Sequence, residues 1–239
     1  MNRFVLMCLV AGAIVFFSCK NVGTTSRLLI NNATLSTGDL SVLWSGSSLT
    51  PTALAQGKTT GTAAAPYLQV PAGTNNIILK SGNNVLLDKN IYGAPANFSV
   101  LVYDTSLTSS TLNVAVLTDN LTLPDTIRLA KCRFINCVPD TNIVDVLLLN
   151  TTDTVAITGV SFIGANPTLS TLQTFGTLKS GTYKPLIYKT GTAFTVSPLL
   201  AADSVTLGPQ KICTLVYSGK QGSTGADALK LAVIFHPPQ

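Results

Sequence analysis

An internal repeat constrains the fold of this chain more than any other feature of its sequence. Five short blocks recur in the same order in both halves, and the spacing between matching blocks grows only from about 105 to about 117 residues. The matched blocks are LLINN (28–32) with RFINC (133–137), SVLWSG (41–46) with DVLLLN (145–150), VPAGTNNIILKSG (70–82) with LKSGTYKPLIYKTG (178–191), FSVLVYD (98–104) with ICTLVYS (212–218), and LNVAVLTDN (112–120) with LKLAVIFHP (229–237). We therefore interpret the chain as a duplicated domain.

Each block predicts a β-strand, because apolar and polar residues alternate within it at the period of a strand that is buried on one face. The side chains that we expect in the two cores are Leu40, Val42 and Trp44 in the first repeat and Val144, Val146 and Leu148 in the second. Turns are expected near Gly46, Gly73 and Gly181. Short strands between turn residues, without a long helical period, predict an all-β fold with a β-sandwich in each repeat.

Composition agrees with strands and argues against a nucleic-acid partner. Charged residues make up 10% of the chain, against about 25% in a typical soluble protein. Every acidic residue is Asp, so the chain lacks Glu, a good helix former at exposed positions. The net charge is +5, but the cations are spread singly rather than clustered as on a nucleic-acid-binding surface.

The first residues are typical of a bacterial lipoprotein signal peptide. Arg3 precedes an apolar run that is shorter than the roughly 20 residues of a membrane-spanning helix, and Ser18 then precedes Cys19. Phe16 departs from the Leu, Val or Ile that usually stands three residues before the lipidated cysteine. Two alternatives stay open: an uncleaved anchor, or an ordinary secretory signal in which Cys19 is incidental. We predict a signal peptide (1–18), a lipidated tether (19–26), a first sandwich (27–123) and a second sandwich (127–239), with the polar segment 118–126 as linker.

The second repeat resembles the bacterial domain-of-unknown-function family 4397, and the first repeat keeps only its skeleton. The matching residues are Arg133, Phe134, Ile135, Asn136, Pro139, Asp140, Val144, Asp145 and Val146, followed later by Gly181, Thr182 and Tyr183. The departures are Cys137, Val138, Asn142, Ile212 and Cys213. The resemblance implies an immunoglobulin-like sandwich on a secreted or lipid-anchored protein of Bacteroidota type. It implies no catalytic residues.

The chemistry-bearing residues argue against an enzyme. General acid–base catalysis needs a histidine or paired carboxylates, and this chain offers one histidine, His236, and no Glu. We expect no cofactor and no metal site. Asp140, Asn142 and Asp145 lack the order of a calcium loop, so we expect a turn at Pro139 in which Asp140 accepts nearby backbone amides, and a solvated Asp145 on the strand.

Three cysteines remain after the lipidated Cys19: Cys132, Cys137 and Cys213. One disulfide with three alternative pairings, or simple buried thiols, are both compatible with the sequence.

The aromatic side chains offer few clear candidates for a binding surface, and we expect Trp44 in the core. The side chains of Tyr67, Tyr92, Tyr183 and Tyr188 are the scattered candidates for exposed aromatic residues.

Three Asp-Ser/Thr-apolar triplets resemble the site at which Bacteroidota O-glycosylate exported proteins. They place candidate glycosylation at Thr126, Thr154 and Ser204. Thr126 lies in the predicted linker.

The sequence predicts a non-catalytic cell-envelope lipoprotein that serves as an adhesion, scaffold or interaction module. Two alternatives are a glycan-binding envelope lipoprotein, which requires an exposed aromatic pair over a groove, and a fimbrillin-like pilus subunit, which requires an exchangeable terminal strand. The expected partners are the membrane, through the lipid anchor, and a protein or glycan ligand. Lys20 after the cysteine, rather than Asp, favours the outer membrane.

Overall fold

The computed structural model describes residues 25–35, 37–107 and 111–238, and this part of the chain is almost entirely β-structure. It confirms the predicted all-β class. Its helices amount to one α-helical turn, Leu169–Leu172, and one 3-10 turn, Gly225–Asp227. The predicted signal peptide and the lipidated Cys19 lie outside the described residues. No helix within the described ranges is both long enough and apolar enough to cross a membrane.

The first repeat contains two four-stranded sheets. Its strands are β1 (Thr25–Asn32), β2 (Ser41–Trp44), β3 (Ser47–Ser48), β4 (Leu68–Pro71), β5 (Gly73–Ser81), β6 (Asn84–Gly93), β7 (Asn97–Asp104) and β8 (Leu112–Thr118). One sheet has the order β4-β1-β7-β8 and the other the order β3-β2-β5-β6. The pair β1–β7 is parallel, whereas the remaining pairs are antiparallel.

The second repeat has the same arrangement. Its strands are β9 (Leu129–Asn136), β10 (Ile143–Leu149), β11 (Thr154–Ser161), β12 (Gly176–Lys179), β13 (Gly181–Lys189), β14 (Leu200–Ala201), β15 (Val205–Leu207), β16 (Ile212–Ser218) and β17 (Lys230–His236). The sheet β12-β9-β16-β17 matches β4-β1-β7-β8 strand for strand, again with one parallel pair, β9–β16. In the second sheet, β11-β10-β13, the short strands β14 and β15 occupy the place that β6 has in the first repeat.

Each repeat has an apolar core of its own between its two sheets. Trp44 packs in the first core at 4% exposure, and Leu40 and Val42 lie beside it. Val144, Val146 and Leu148 are buried in the second core. The predicted core positions of both repeats are therefore confirmed.

A third apolar cluster joins the two repeats. It contains Leu29, Leu101, Tyr103 and Leu117 from the first repeat and Ile135, Cys137, Val216 and Ile234 from the second. These side chains belong to the faces of the sheets β4-β1-β7-β8 and β12-β9-β16-β17 that point away from each repeat's own core. The two sandwiches are therefore stacked, with these two sheets in the middle, and we call the buried layer between them the inter-repeat interface.

The stacking corrects the expectation that every strand is buried on one face only. All residues of β7 and of β16 are buried, because the side chains on one face of each strand lie in the core of its own repeat and those on the other face lie in the inter-repeat interface. The predicted linker (118–126) is partly buried. Residues 119–128 form no strand, but Asp119, Leu121 and Pro124 within them are buried.

The repeat alignment predicted from the sequence is wrong by one residue in two blocks. The side-chain oxygen of Asn32 accepts the Thr34 N–H, as that of Asn136 accepts the Val138 N–H, so Asn136 corresponds to Asn32 rather than to Asn31. Tyr103, aligned with Tyr217 in the sequence, lies in the inter-repeat interface, whereas Tyr217 lies in the second core. A slip of one residue exchanges the two faces of a strand.

Candidate functional site

One edge of the central strand β9 is left uncovered in the second repeat. Strand β12 pairs with β9 only as far as the partners Gly176 and Cys132. Beyond that point, the only pairing on this side of β9 within the described residues is a single bridge between Asn136 and Phe162. A cleft of about 550 Å³ lies between these two contacts.

The backbone of Phe134 points into this cleft. The N–H groups of Lys131 and Cys137 donate to carbonyls of the β16 side, at Lys211 and Tyr217. Because successive peptide groups of a strand point to opposite sides, the N–H and C=O of Phe134 face away from β16. The open edge therefore presents one donor and one acceptor in the spacing of a β-ladder.

The first repeat covers the equivalent edge with its own chain. Ile30 corresponds to Phe134, its N–H donates to the Thr60 hydroxyl at 2.9 Å, and its carbonyl accepts the Thr60 N–H at 2.8 Å. Asn31 also forms an antiparallel bridge with Thr59. An extended segment of polypeptide thus occupies the position that is a cleft in the second repeat.

The cleft is lined by uncharged side chains, with one exception. Its lining includes the apolar side chains of Ile157, Val160, Ile163 and Leu172 and the polar side chains of Ser161, Asn166, Thr168, Thr171 and Thr174. The exception is Arg133, whose guanidinium is bound in the interior. A lining of hydroxyl and apolar groups suits a neutral ligand that offers backbone-type donors and acceptors.

The outer wall of the cleft is held by the first repeat. The Tyr103 hydroxyl donates to the Gly164 carbonyl at 2.9 Å, and the Asn113 side-chain amide donates to the Ala165 carbonyl at 2.7 Å. The segment after β11 is therefore fixed from outside as well as by Ile163, whose N–H donates to the Asn136 carbonyl at 2.9 Å. Because of these bonds, the width of the cleft depends on the inter-repeat interface.

A closed ring of hydrogen bonds lies in that interface next to β9. Arg133 and Asp119 form a buried ion pair at 2.6 Å, with side chains only 2% and 0% exposed. Arg133 Nε donates to the Thr214 hydroxyl at 2.8 Å, and Thr214 lies 2.7 Å from His236 Nε2. Tyr67 closes the ring, 2.7 Å from both His236 Nδ1 and the Asp119 carboxylate. The ring joins Tyr67 and Asp119 of the first repeat to three residues of the second.

The direction of the hydrogen bonds fixes the tautomer of His236. The Tyr67 hydroxyl donates to Asp119, so it must accept its second bond from an Nδ1–H of His236. The Thr214 hydroxyl accepts from Arg133 and is then free to donate to the bare Nε2 of His236. His236 therefore carries a proton on Nδ1, and with Nε2 accepting from Thr214 the ring is neutral.

Burial and the nearby Arg133 charge oppose protonation of this ring nitrogen. Burial is the larger cause, and together with Arg133 it lowers the pKa of His236 to about 4, although Asp119 acts in the opposite direction. Burial and the Asp119 carboxylate raise the pKa of Tyr67. With both groups neutral and almost wholly buried, we interpret the ring as a structural bond between the repeats rather than as a catalytic centre.

Sequence reasoning missed this ring. The sequence places Asp119 in the predicted linker and shows His236 as its only histidine. The available signal was the uninterrupted apolar run Val100–Tyr103 in β7, which is typical of a strand that is buried on both faces. A second buried face indicates that the two repeats pack together, and polar residues on that face need partners there.

Two of the three cysteines are neighbours. Cys132 and Cys213 are direct partners across β9 and β16, and their sulfur atoms lie 3.3 Å apart in the second core. The contact with Cys213 and burial raise the pKa of the Cys132 thiol. Cys137 lies apart, in the inter-repeat interface, where burial raises its pKa to about 12.

The prediction of a solvated Asp145 is wrong. Asp145 is only 7% exposed, and its carboxylate accepts the Gly159 N–H at 2.7 Å, the Thr190 hydroxyl at 3.0 Å and the Gly191 N–H at 3.3 Å. These hydrogen bonds, that of Gly159 first, lower the pKa of Asp145. They are made where the pairing of β10 with β11 shifts register, between Val144 and Val146.

The predicted turn after Pro139 is confirmed, but the carboxylate of Asp140 acts differently from the expectation. It accepts the N–H of the distant Gln221 at 2.9 Å instead of an amide in its own turn. Asp140, Asn142 and Asp145 do not converge on a metal site. Across the described ranges, no group of three His, Cys, Asp or Glu residues is placed to hold a metal ion.

Most of the candidate aromatic residues are buried. Tyr67, Tyr183 and Tyr188 are at most 8% exposed, and only Tyr92 of the four is exposed, at 65%. Tyr92 borders a different, shallower depression beside β8 rather than the β9 cleft. The three candidate glycosylation residues Thr126, Thr154 and Ser204 are exposed and lie far apart in the sequence.

Comparison with known proteins adds no relative. No family model matches the chain, and no curated protein matches it significantly. The similarity of the second repeat to family 4397 stays a prediction from its motifs.

Proposed function

We propose that this protein is a non-catalytic, lipid-anchored interaction module of the cell envelope, and that it binds an extended segment of a partner protein along the open edge of β9. The observation that carries the proposal is the difference between the two repeats. Thr59 and Thr60 complete the edge of β1, whereas Phe134 on β9 faces a cleft. An added strand from a partner would complete the second repeat as the first repeat completes itself.

The chemistry of the cleft supports a peptide ligand over a glycan. Main-chain donors and acceptors at a strand edge match a polypeptide, and the one charged residue of the lining, Arg133, is already paired with Asp119. A glycan-binding site of the predicted kind needs two exposed aromatic rings over a groove. Tyr92 is the exposed tyrosine among the predicted candidates, and it lies outside this cleft.

The fimbrillin-like alternative has less support. It requires a terminal strand that leaves its own domain and enters a neighbour. Strand β17 pairs with β16 over seven successive residue pairs, from Ile212 with His236 to Ser218 with Lys230. Exchange of β17 into a neighbouring molecule would break all of these pairs, which costs free energy.

The peptide-binding part is tested by narrowing the cleft. A library of uncharged heptapeptides is screened against the detergent-extracted full chain, and affinities are measured by fluorescence anisotropy. Thr171→Trp places a large ring in the cleft and should weaken binding by about tenfold or more, equivalent to about 1.4 kcal/mol. Ser170→Trp, on the same helical turn but outside the cleft lining, is the matched control and should bind as the unmodified chain does.

Alternately N-methylated versions of the best peptide provide a second readout. They keep the side chains but remove the N–H donors that pair with a strand edge, so they should not bind. Equal affinity of Thr171→Trp and Ser170→Trp, or undiminished binding of the methylated peptides, would exclude the β9 edge as the binding site.

The envelope part is tested separately by metabolic labelling with an alkyne fatty acid. The intact chain should carry the label and sediment with membranes, and Cys19→Ala should lose the label. Protease treatment of intact cells then shows whether the sandwiches face outward. A label that persists in Cys19→Ala would overturn the assignment of the anchor.

A further inference from the structure

We propose that Cys132 and Cys213 form a disulfide bond in the mature protein, an inference that rests on the proposed export to the cell envelope. The two residues are direct partners on the parallel strands β9 and β16, and their sulfur atoms are 3.3 Å apart. Neighbouring strands are about 4.8 Å apart, which lies within the range of Cα separations that disulfides span. A small rotation of the two side chains would bring the sulfur atoms to bonding distance.

The pairing is unique among the three cysteines that follow Cys19. Cys132 and Cys213 both point into the second core, whereas Cys137 points into the inter-repeat interface. The sheet that contains β9 therefore separates Cys137 from the other two sulfur atoms. Of the three pairings that the sequence allowed, the geometry leaves one.

The bond forms by thiol–disulfide exchange. The thiolate of one cysteine attacks the disulfide of an exported oxidoreductase or of a small disulfide such as oxidised glutathione, which releases one thiol. The second thiolate then displaces the other sulfur of the oxidant from the mixed disulfide. The protein loses two protons and two electrons, and the oxidant leaves as two thiols.

We expect the thiol–disulfide exchange to take place while the chain folds. In the folded state, Cys132 is 4% exposed and Cys213 is 0% exposed, so neither sulfur is open to an oxidant. We therefore expect the bond to form while β9 and β16 come together and to be protected from reductants afterwards. It would connect positions 81 residues apart in the chain.

The test is differential alkylation of the full chain. Membranes from the native host are dissolved in denaturant with N-ethylmaleimide, which blocks free thiols, and the chain is then reduced and treated with iodoacetamide. Peptide mass spectrometry should find iodoacetamide on Cys132 and Cys213 and maleimide on Cys137. Cys137→Ser should leave the bond intact, since this thiol takes no part in it. If all three cysteines of the protein from native membranes carried N-ethylmaleimide, no disulfide would form in the cell.

A refolding experiment separates this inference from the proposed location. The reduced, denatured full chain is refolded with oxidised glutathione, so that an oxidising environment is supplied whatever the compartment. Formation of the Cys132–Cys213 bond, with a loss of two hydrogens in the mass, supports the pairing. Folded chain with three free thiols overturns the pairing. A bond that forms on refolding but is missing from the chain in cells overturns the export to an oxidising compartment instead.

Discussion

Individual side chains in the inter-repeat interface determine how the two repeats fit together. Arg133 and Asp119 are both deeply buried, and each satisfies the charge of the other. A buried ion pair contributes little net stability compared with apolar residues, but the loss of one partner leaves an unpaired buried charge. We infer that the ring specifies one relative position of the two sheets, since another position would break it.

The neutral state of His236 predicts a dependence of stability on pH. Because the folded state lowers the pKa of His236 from 6.5 to about 4, its contribution is complete above pH 6.5 and is lost as the pH falls through that range to about 4. The full loss corresponds to about 3 kcal/mol. Comparing the free energy of unfolding in urea at pH 7 and at pH 4.5 measures most of this loss.

His236→Gln removes the titrating group and is the comparison for that experiment. The variant should be less stable than the unmodified chain at pH 7, because the ring loses its geometry. The difference between the two should shrink toward pH 4, because only the unmodified chain loses the contribution of the neutral His236, whereas the carboxylates titrate in both. If the stability difference between the two proteins stayed constant from pH 7 to pH 4, the folded state would not lower the pKa of His236.

At the scale of elements, the sequence predicted the strands better than their surroundings. Alternation and turn residues identified the β-structure and the core-facing positions Val42 and Val146. The second buried face of β7 and β16 was missed, because a rule of one buried face assumes that water covers the other. The one-residue slip between Tyr103 and Tyr217 has the same origin: both faces are apolar, so either register looks acceptable.

Asp145 stabilises the junction of β10, β11 and the end of β13. Asp145→Ala should lower the free energy of unfolding by about 2 kcal/mol, because the backbone N–H groups of Gly159 and Gly191 lose a charged acceptor. Asp203→Ala, at an exposed position, should change it little. Urea unfolding at pH 7 compares the two.

The pH dependence of this effect has a defined sign. The folded state lowers the pKa of Asp145, so its contribution is present above the ordinary pKa of an aspartate and is lost as the pH falls through the lowered value. Equal stability of Asp145→Ala and Asp203→Ala at pH 7 would contradict the role assigned to this carboxylate.

At the scale of the whole molecule, the two sandwiches form one stack of four sheets with three buried layers. The cleft on β9 results from this level of structure. The connection before β4 (49–67) returns along the edge of β1, whereas the shorter connection before β12 (162–175) bends toward the first repeat. No local pattern in either segment states which course it takes, so the sequence could predict the repeat but not the cleft.

The stack predicts that both repeats unfold together. Trp44 is the single tryptophan and lies in the first core, so its fluorescence follows the first repeat, while circular dichroism follows both. The two signals should give one coincident urea transition. Asp119→Asn should shift both transitions to lower urea, because Arg133 is left buried beside a neutral group. The free energy of unfolding should fall by about 3 to 5 kcal/mol.

The exposed Asp125→Asn, close by in the same segment, is the matched control and should leave the transition in place. Two separated transitions in the unmodified chain would mean that the repeats are independent and that the ring between them contributes little.

The parallel strand pair at the centre of each repeat also sets the order in which the polypeptide can gain structure during synthesis. Strand β1 has its neighbours in β4 and β7, and β9 has its neighbours in β12 and β16, which are made much later. The leading strand of each repeat therefore lacks its parallel central neighbour, β7 or β16, until most of that repeat has left the ribosome. A chain that stops before β16 would carry β9 without its central neighbour, so partial products of this protein should be poor starting points for folding.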